Sequence, residues 1–142
     1  MDLLGDRVLE RGPKPDASGP YRNFKLTRDE DGVAWLLFDR AGASANTLSA
    51  DLLEELDKVL AELESARPTG LAVRSAKTSG FIAGADVNEF RGVTDANAVE
   101  TQISRAHAVI DRMEALRIPT VAVVHGFCLG GGQGGAMLIE TV

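Results

Sequence analysis

The sequence predicts an α/β fold. Three observations carry that prediction: two segments with apolar residues at helical spacing, short apolar runs rich in β-branched side chains between them, and Gly or Pro at the junctions. Strands that alternate with helices in this way call for helices packed over a sheet.

Residues 1–20 combine Gly12-Pro13-Lys14-Pro15 and Gly19-Pro20 with scattered charge and are expected to form a flexible amino-terminal extension, leaving residues 21–142 for the fold. Tyr21 to Leu26 is a strand candidate, Asp31-Gly32 a turn, and Val33 to Phe38 a compact apolar run, so a hairpin is expected. Trp35 is expected in the core. Residues 39–46 read as a loop of small residues. Ser49 can cap a helix, and Asp51 in its first turn suits the helix dipole. Leu52, Leu53, Leu56, Val59, Leu60 and Leu63 then define one buried face, opposite Glu54, Glu55, Asp57, Lys58 and Glu62. Pro68 and Gly70 end this helix, and Gly70 to Ser75 is the next strand. After the turn Lys77-Thr78-Ser79-Gly80, residues 81–84 run into a second loop of small residues. A further helix is expected from Asn97 to Leu116, with Val99, Ile103, Ala106, Ile110 and Met113 as its core stripe. Pro119 closes it. Thr120 to Val124 is a β-branched run suited to a strand buried on both faces.

Composition narrows the function. The formal charge of −6 leaves no basic surplus to neutralise phosphates, so no nucleic-acid partner is expected. Cys128 is the one cysteine and His107 and His125 the two histidines, so neither a disulfide framework nor a metal site is expected. No stretch approaches the roughly 18 apolar residues of a membrane span. The first residues interrupt their apolar run with Asp2, Asp6, Arg7 and Glu10, unlike a signal peptide. A reducing cytoplasm is the expected location.

Two segments share one design: Phe81-Ile82-Ala83-Gly84-Ala85-Asp86-Val87-Asn88-Glu89-Phe90, and Val121 through His125-Gly126-Phe127-Cys128-Leu129-Gly130-Gly131-Gly132 to Gly135. Each runs from apolar residues into small ones, after which a helix is expected. Small side chains let a ligand approach the backbone, and glycine permits turns that aim N–H groups outward. A helix N-terminus adds unpaired donors and partial positive charge. Two such N–H groups converging on one point stabilise a carbonyl oxygen that becomes negative, as a thioester oxygen does when an α-proton leaves.

In this pairing, order and separation, the two loops resemble the crotonase, or enoyl-CoA hydratase/isomerase, family, and within it the multifunctional fatty-acid oxidation branch. The resemblance covers roughly residues 21–132, including Ala45-Asn46-Thr47-Leu48. It implies a spiral of ββα units, incomplete here at the C-terminus, in a homo-oligomer (trimer or hexamer). It implies an enzyme acting on acyl-CoA, with no cofactor beyond the coenzyme A of the substrate. The backbone N–H groups of Ala85 and Gly131 would form the oxyanion hole. Ala83, Ala85, Asp86, Val87, Asn88 and Gly131 would line the acyl-CoA site, and Ala43 and Ala45 would flank its pantetheine or adenine end.

The tail departs from the family pattern. Family hydratases carry a catalytic glutamate two residues after the Gly-Gly-Gly run, where this chain has Gly134. The second glutamate would lie about 20 residues further, past Val142. Glu140 has the wrong offset. The sequence therefore predicts a truncated or altered end, and a non-catalytic acyl-CoA-binding or oligomerisation module stands as the alternative. Gly130, Gly132 and Gly135 also fit a dinucleotide fingerprint, but its acidic partner is missing and it leaves the Ala85 loop unexplained. Asp86 is expected to cap the following helix, Glu89 to sit on a solvated helix face, His125 to be structural, and Cys128 to be a small buried thiol.

Overall fold

The computed structural model describes residues 12–16, 18–84, 86–90, 92, 94–128 and 138–141. In chain order the elements are β1 (Phe24–Arg28), β2 (Val33–Phe38), α1 (Ala50–Ala66), β3 (Gly70–Ser75), β4 (Gly80–Ile82), a 3-10 turn (Val87–Phe90), α2 (Ala96–Glu114), β5 (Thr120–Val124), β6 (Phe127–Cys128) and β7 (Leu138–Thr141). The α/β architecture is the one the alternating pattern predicts. The main sheet runs β1-β2-β3-β5-β7, while β4 and β6 pair apart from it. Only β1 is antiparallel to its neighbour in the main sheet; β2, β3, β5 and β7 are parallel. Parallel neighbours need a crossover, and α1 and α2 supply those leading to β3 and β5.

The first strand begins at Phe24 rather than Tyr21 because Asn23 is engaged elsewhere. Its N–H donates to Glu55 Oε1 on α1 at 2.6 Å, and its carbonyl accepts from Asp39 N at 2.9 Å. The hairpin turn is closed by Asp29, whose Oδ1 accepts from the N–H groups of Asp31 (2.9 Å) and Val33 (3.0 Å). Gly32 sits there at φ +78°, a conformation that side chains resist.

Two-residue alternation sorts the sheet into two faces. Ala34, Leu36 and Phe38 of β2, Leu71 and Val73 of β3, and Ala122 and Val124 of β5 all join the core. Helix α1 packs there too, and all six residues of its expected apolar face are buried. Phe24 meets Phe38 edge to face, with ring centroids 4.5 Å apart. The helix starts as expected, with Ser49 Oγ accepting from Leu52 N.

Trp35 departs from expectation. It is out of phase with Ala34 and Leu36, so it lies half-buried on the opposite face. Its Nε1 donates to Asp29 Oδ2 at 2.9 Å. Beside it, the guanidinium of Arg74 lies 5.2 Å from the indole centroid, and Arg74 Nη2 donates to Pro13 O at 2.7 Å. Burial pushes the Arg74 pKa below its ordinary value. Gly12 packs against the same ring, where a Cβ would come within 2.5 Å. Residues 12–16 thus lie along this face of the sheet.

Helix α2 also departs from expectation, since none of its residues is fully buried and Ile103 is 45% exposed. Only its carboxyl half reaches the core, through Val109 and Met113, followed by Leu116 and Ile118. Arg112 bonds Glu64 and Asp57 of α1, fixing that half from the surface. Its amphipathic stripe is real, but the first two turns lie beyond the core that α1 and the sheet build. No helix among the described residues is long and apolar enough to cross a membrane. Strand β7 pairs Val121 to Val124 with Leu138 to Thr141; periodicity alone assigns no element to this stretch.

These packing differences predict unequal stability effects. Leu60 is fully buried, so Leu60→Ala is expected to cost about 3 kcal/mol in urea unfolding. Ile103→Ala is expected to cost less than about 0.5 kcal/mol. A large loss at position 103 would mean that the first turns of α2 are covered in solution.

Candidate active site

The loops after β2, β3, β4 and β5 meet at the carboxyl edge of the sheet, where parallel strands commonly place ligand sites. Asn46 joins the first three. Its Nδ2 donates to Ser75 Oγ (2.9 Å), Phe81 O (3.0 Å) and Phe38 O (3.2 Å), and its Oδ1 accepts from Arg40 N at 3.0 Å. An amide has two N–H bonds, so the longest of the three donor contacts shares a hydrogen. Ser75 Oγ passes its own proton to Gly80 O at 2.7 Å. Asn46 and Ser75 are both buried, and the side-chain polar atoms of both are hydrogen-bonded.

The loop after β4 is laced to residues 46–48. Ala83 N donates to Asn46 O (2.8 Å), Leu48 N to Gly84 O (2.8 Å), and Asp86 N to Leu48 O (3.1 Å). Gly84 makes the required bend at φ +93°. Asp86 does cap the next turn, its Oδ1 accepting from Asn88 N at 3.1 Å. Its Oδ2 takes Arg40 Nη2 at 2.7 Å, and Arg40 Nη1 also donates to Thr47 Oγ1. Glu89 departs from expectation: its Oε1 accepts from Ala50 N at 2.8 Å, closing the start of α1.

Charge is arranged around Arg40. Lys77 Nζ donates to Arg40 O at 2.7 Å and pairs with Asp39 Oδ1 at 2.8 Å, while Lys25 Nζ reaches Asp39 Oδ2 at 3.5 Å. Burial raises the pKa of Asp39, but the two lysines outweigh it and hold the carboxyl below its ordinary value. At Asp86 burial likewise pushes upward, and the Arg40 and Asn88 bonds prevail downward.

The second loop joins through glycine. Gly126 sits at φ +59°, bridged to Gly80, where a Cβ would lie 2.3 Å from Ser79 O. From this crossing β4 and β6 run parallel, with Gly80 opposite Phe127 and Ile82 opposite Cys128. The two small-residue loops singled out in the sequence therefore leave from one two-stranded ribbon. His125 is structural: 5% exposed, its Nε2 lies 2.6 Å from Lys77 O. A carbonyl only accepts, so Nε2 carries the proton. Cys128 is half-buried, and burial pushes its thiol pKa up, away from what a nucleophile needs.

Of the site residues expected from sequence, Ala83, Asp86 and Asn88 lie on the laced loop, and the backbone of Val87 on its 3-10 turn. Ala43 and Ala45 lie on the adjoining loop, which Ser79 Oγ ties to Ser44 O at 2.9 Å. Ala85 and Gly131 lie outside the described residues, as do residues 129–137, which include Gly134. Arg40, Lys77, Ser75 and Glu89 were not singled out as site residues by their sequence. They have partners 29 to 46 positions away, and no local pattern announces such contacts.

The family profile described as enoyl-CoA hydratase/isomerase matches residues 34–140. The fatty acid oxidation complex subunit alpha of Shewanella sp. (strain W3-18-1) is 40% identical over 112 residues, covering 78% of this chain and 16% of that protein. The same subunit from Shewanella oneidensis is 39% identical over an equal span. Among solved structures, an enoyl-CoA hydratase from Bacillus anthracis is 29% identical with a TM-score of 0.70, covering 78% of this chain and 43% of the other. One from Mycobacterium smegmatis is 26% identical with a TM-score of 0.68, covering 76% and 42%. The chain thus spans 16% of the length of the curated relatives it matches.

The bonding pattern predicts that Asn46→Ala, which takes the side-chain partner from Phe81 O and the Arg40 N–H while Phe38 O keeps Ala76 N, costs about 2 kcal/mol or more in urea unfolding. Asn46→Asp should not restore it, because a carboxylate cannot donate. The lowered carboxyl pKa values at Asp39 and Asp86 set a pH window. Their contribution to stability is complete above the ordinary value of 3.8 and is lost as the pH falls through the folded values. Stability should therefore be flat in this respect from neutral pH to about 5. Asp86→Asn should make the acid limb of an unfolding-versus-pH curve shallower; an unchanged limb would contradict the assignment.

Proposed function

This chain belongs to the enoyl-CoA hydratase/isomerase family, and on that premise we propose that it acts on fatty enoyl-CoA thioesters, hydrating the trans-2-enoyl group to a 3-hydroxyacyl group. The observation that supports this most is the β4–β6 ribbon, which starts both small-residue loops side by side. An enolate-forming reaction needs two donors from separate loops aimed at one oxygen, and such a ribbon is a way to pair them.

In this proposal the backbone N–H groups of Ala85 and Gly131 hold the thioester oxygen as it gains negative charge. Lengthened C–O and shortened Cα–C bonds in the enolate concentrate charge where the donors sit, so the stabilisation is greater in the transition state than in the ground state. Ala83, Asp86, Val87 and Asn88 line the acyl-CoA path, and Ala43 and Ala45 flank its pantetheine or adenine end. Proton transfer to and from water needs carboxylates, and position 134 is glycine. The proposed division of labour is therefore that the two small-residue loops bind and polarise the thioester, with no cofactor beyond coenzyme A itself. We propose further that the protein is a cytoplasmic homo-oligomer, trimer or hexamer, as the family resemblance implies.

Titration calorimetry with crotonyl-CoA is expected to give saturable binding that free coenzyme A matches only weakly, alongside a crotonyl-CoA hydration assay of the full gene product. Gly126→Ala forces apart the strands at the loop crossing and should weaken crotonyl-CoA binding by about tenfold or more. Binding without hydration would favour the acyl-CoA-binding module. Absence of binding would reject the thioester proposal.

A further inference from the structure

The loop after β4 is held along its first half by main-chain bonds to Asn46 and Leu48. Those bonds set its register but end at Asp86 N. Two side chains grip the far half of the loop. Arg40 takes the Asp86 carboxylate, and Glu89 takes Ala50 N at the start of α1. Arg40 is itself a fixed post: its N–H donates to Asn46, its carbonyl accepts from Lys77, and its other guanidinium nitrogen donates to Thr47. The planar fork serves Thr47 and Asp86 together, which a lysine ammonium on one flexible stem does less well. The pair is only 23% and 10% exposed, so water screens it little. Glu89 lies where unpaired N–H groups and the helix dipole favour a carboxylate.

We propose that Arg40 and Glu89 are positioning residues for the thioester site, holding residues 86–90 of the loop after β4 beside residues 46–50. The inference rests on the thioester function above. Oxyanion donors act only when they sit at the place the developing charge will occupy, and displacement by about 1 Å forfeits much of the effect. The loop's main-chain lacing alone leaves its far half to pivot about Asp86. The Arg40 and Glu89 grips come from two different elements, β2's following loop and α1, and so remove that pivot. Neither side chain is assigned to touch substrate.

The test pairs two readouts on the full chain: amide hydrogen exchange of the loop, and the absorption of bound hexa-2,4-dienoyl-CoA, whose conjugated thioester shifts to the red when its carbonyl is polarised. In Arg40→Met, exchange protection at Asp86 and Asn88 should fall about tenfold while that of Leu56 and Leu60 holds, and the red shift should fall by more than about half with Kd within about threefold. Arg40→Lys should recover part of both. Glu89→Ala should loosen the same loop amides. Asp86→Asn, which keeps an acceptor for Asn88 but loses the charge, should give the same fall in exchange protection at Asn88 if Arg40→Met does not fold. Unchanged loop protection, or a red shift that survives Arg40→Met, overturns the proposal. A wild-type protein that gives no red shift overturns the thioester function instead, and the exchange data, which need no ligand, tell the two failures apart.

Discussion

The buried amide of Asn46 is the constraint that sets the site's geometry. A buried polar group left without a partner is costly. Here Phe38 O at the end of β2 and Phe81 O within β4 share one side chain, and the Ser75 hydroxyl at the end of β3 links them to Gly80. Three strands are thereby tied at a common edge, where Phe38 O also accepts from Ala76 N at 2.9 Å and Ser75 Oγ from Lys77 N at 3.0 Å. The loop after β4 then inherits its position from Asn46 through Ala83 and from Leu48 through Gly84 and Asp86.

Glycine makes the second constraint. At Gly126 the chain passes so close to Ser79 and Gly80 that no side chain fits. That approach lets β6 form beside β4 rather than extend the main sheet, and it brings the loops after β4 and β5 into one neighbourhood. Bonding differs across the described residues. The edge carrying the site is braced by Asn46, Arg40, Asp86 and Lys77, whereas the first turns of α2 have no fully buried side chain. Long-range side-chain bonds gather at the edge carrying the candidate site, whereas α2 is tied to α1 mainly through Arg112.

Much of this was legible in the residues themselves. The six apolar positions of α1, its Ser49 cap, the β2, β3 and β5 runs, and the two small-residue loops all come from periodicity, capping and glycine chemistry, which act over a few residues. The family resemblance, carried by the two loops together, agreed with the profile match over residues 34–140. Trp35, Glu89 and the α2 stripe read differently in the fold. Trp35 is apolar enough for a core but falls on the strand parity that faces Arg74 and residues 12–16. Glu89 has the look of a solvated carboxylate, yet α1 begins beside it. Val99 and Ile103 have the spacing of a core stripe, but periodicity says which face is apolar and not what will cover it.

The sequence by itself determined the element types, the helix faces and the small-residue character of the loops, because these depend on side-chain volume, φ preference and hydrogen-bonding capacity within a turn or two. Only the tertiary structure decided that Asn46 would bond residues of three strands, that Arg40 would meet Asp86 across 46 positions, and that β4 would leave the main sheet to pair with β6. Those outcomes are set by which chain segments close packing brings within about 3 Å of one another. Hydrogen bonds are short-ranged, so a residue's long-range partner is settled only when the strands have already been placed.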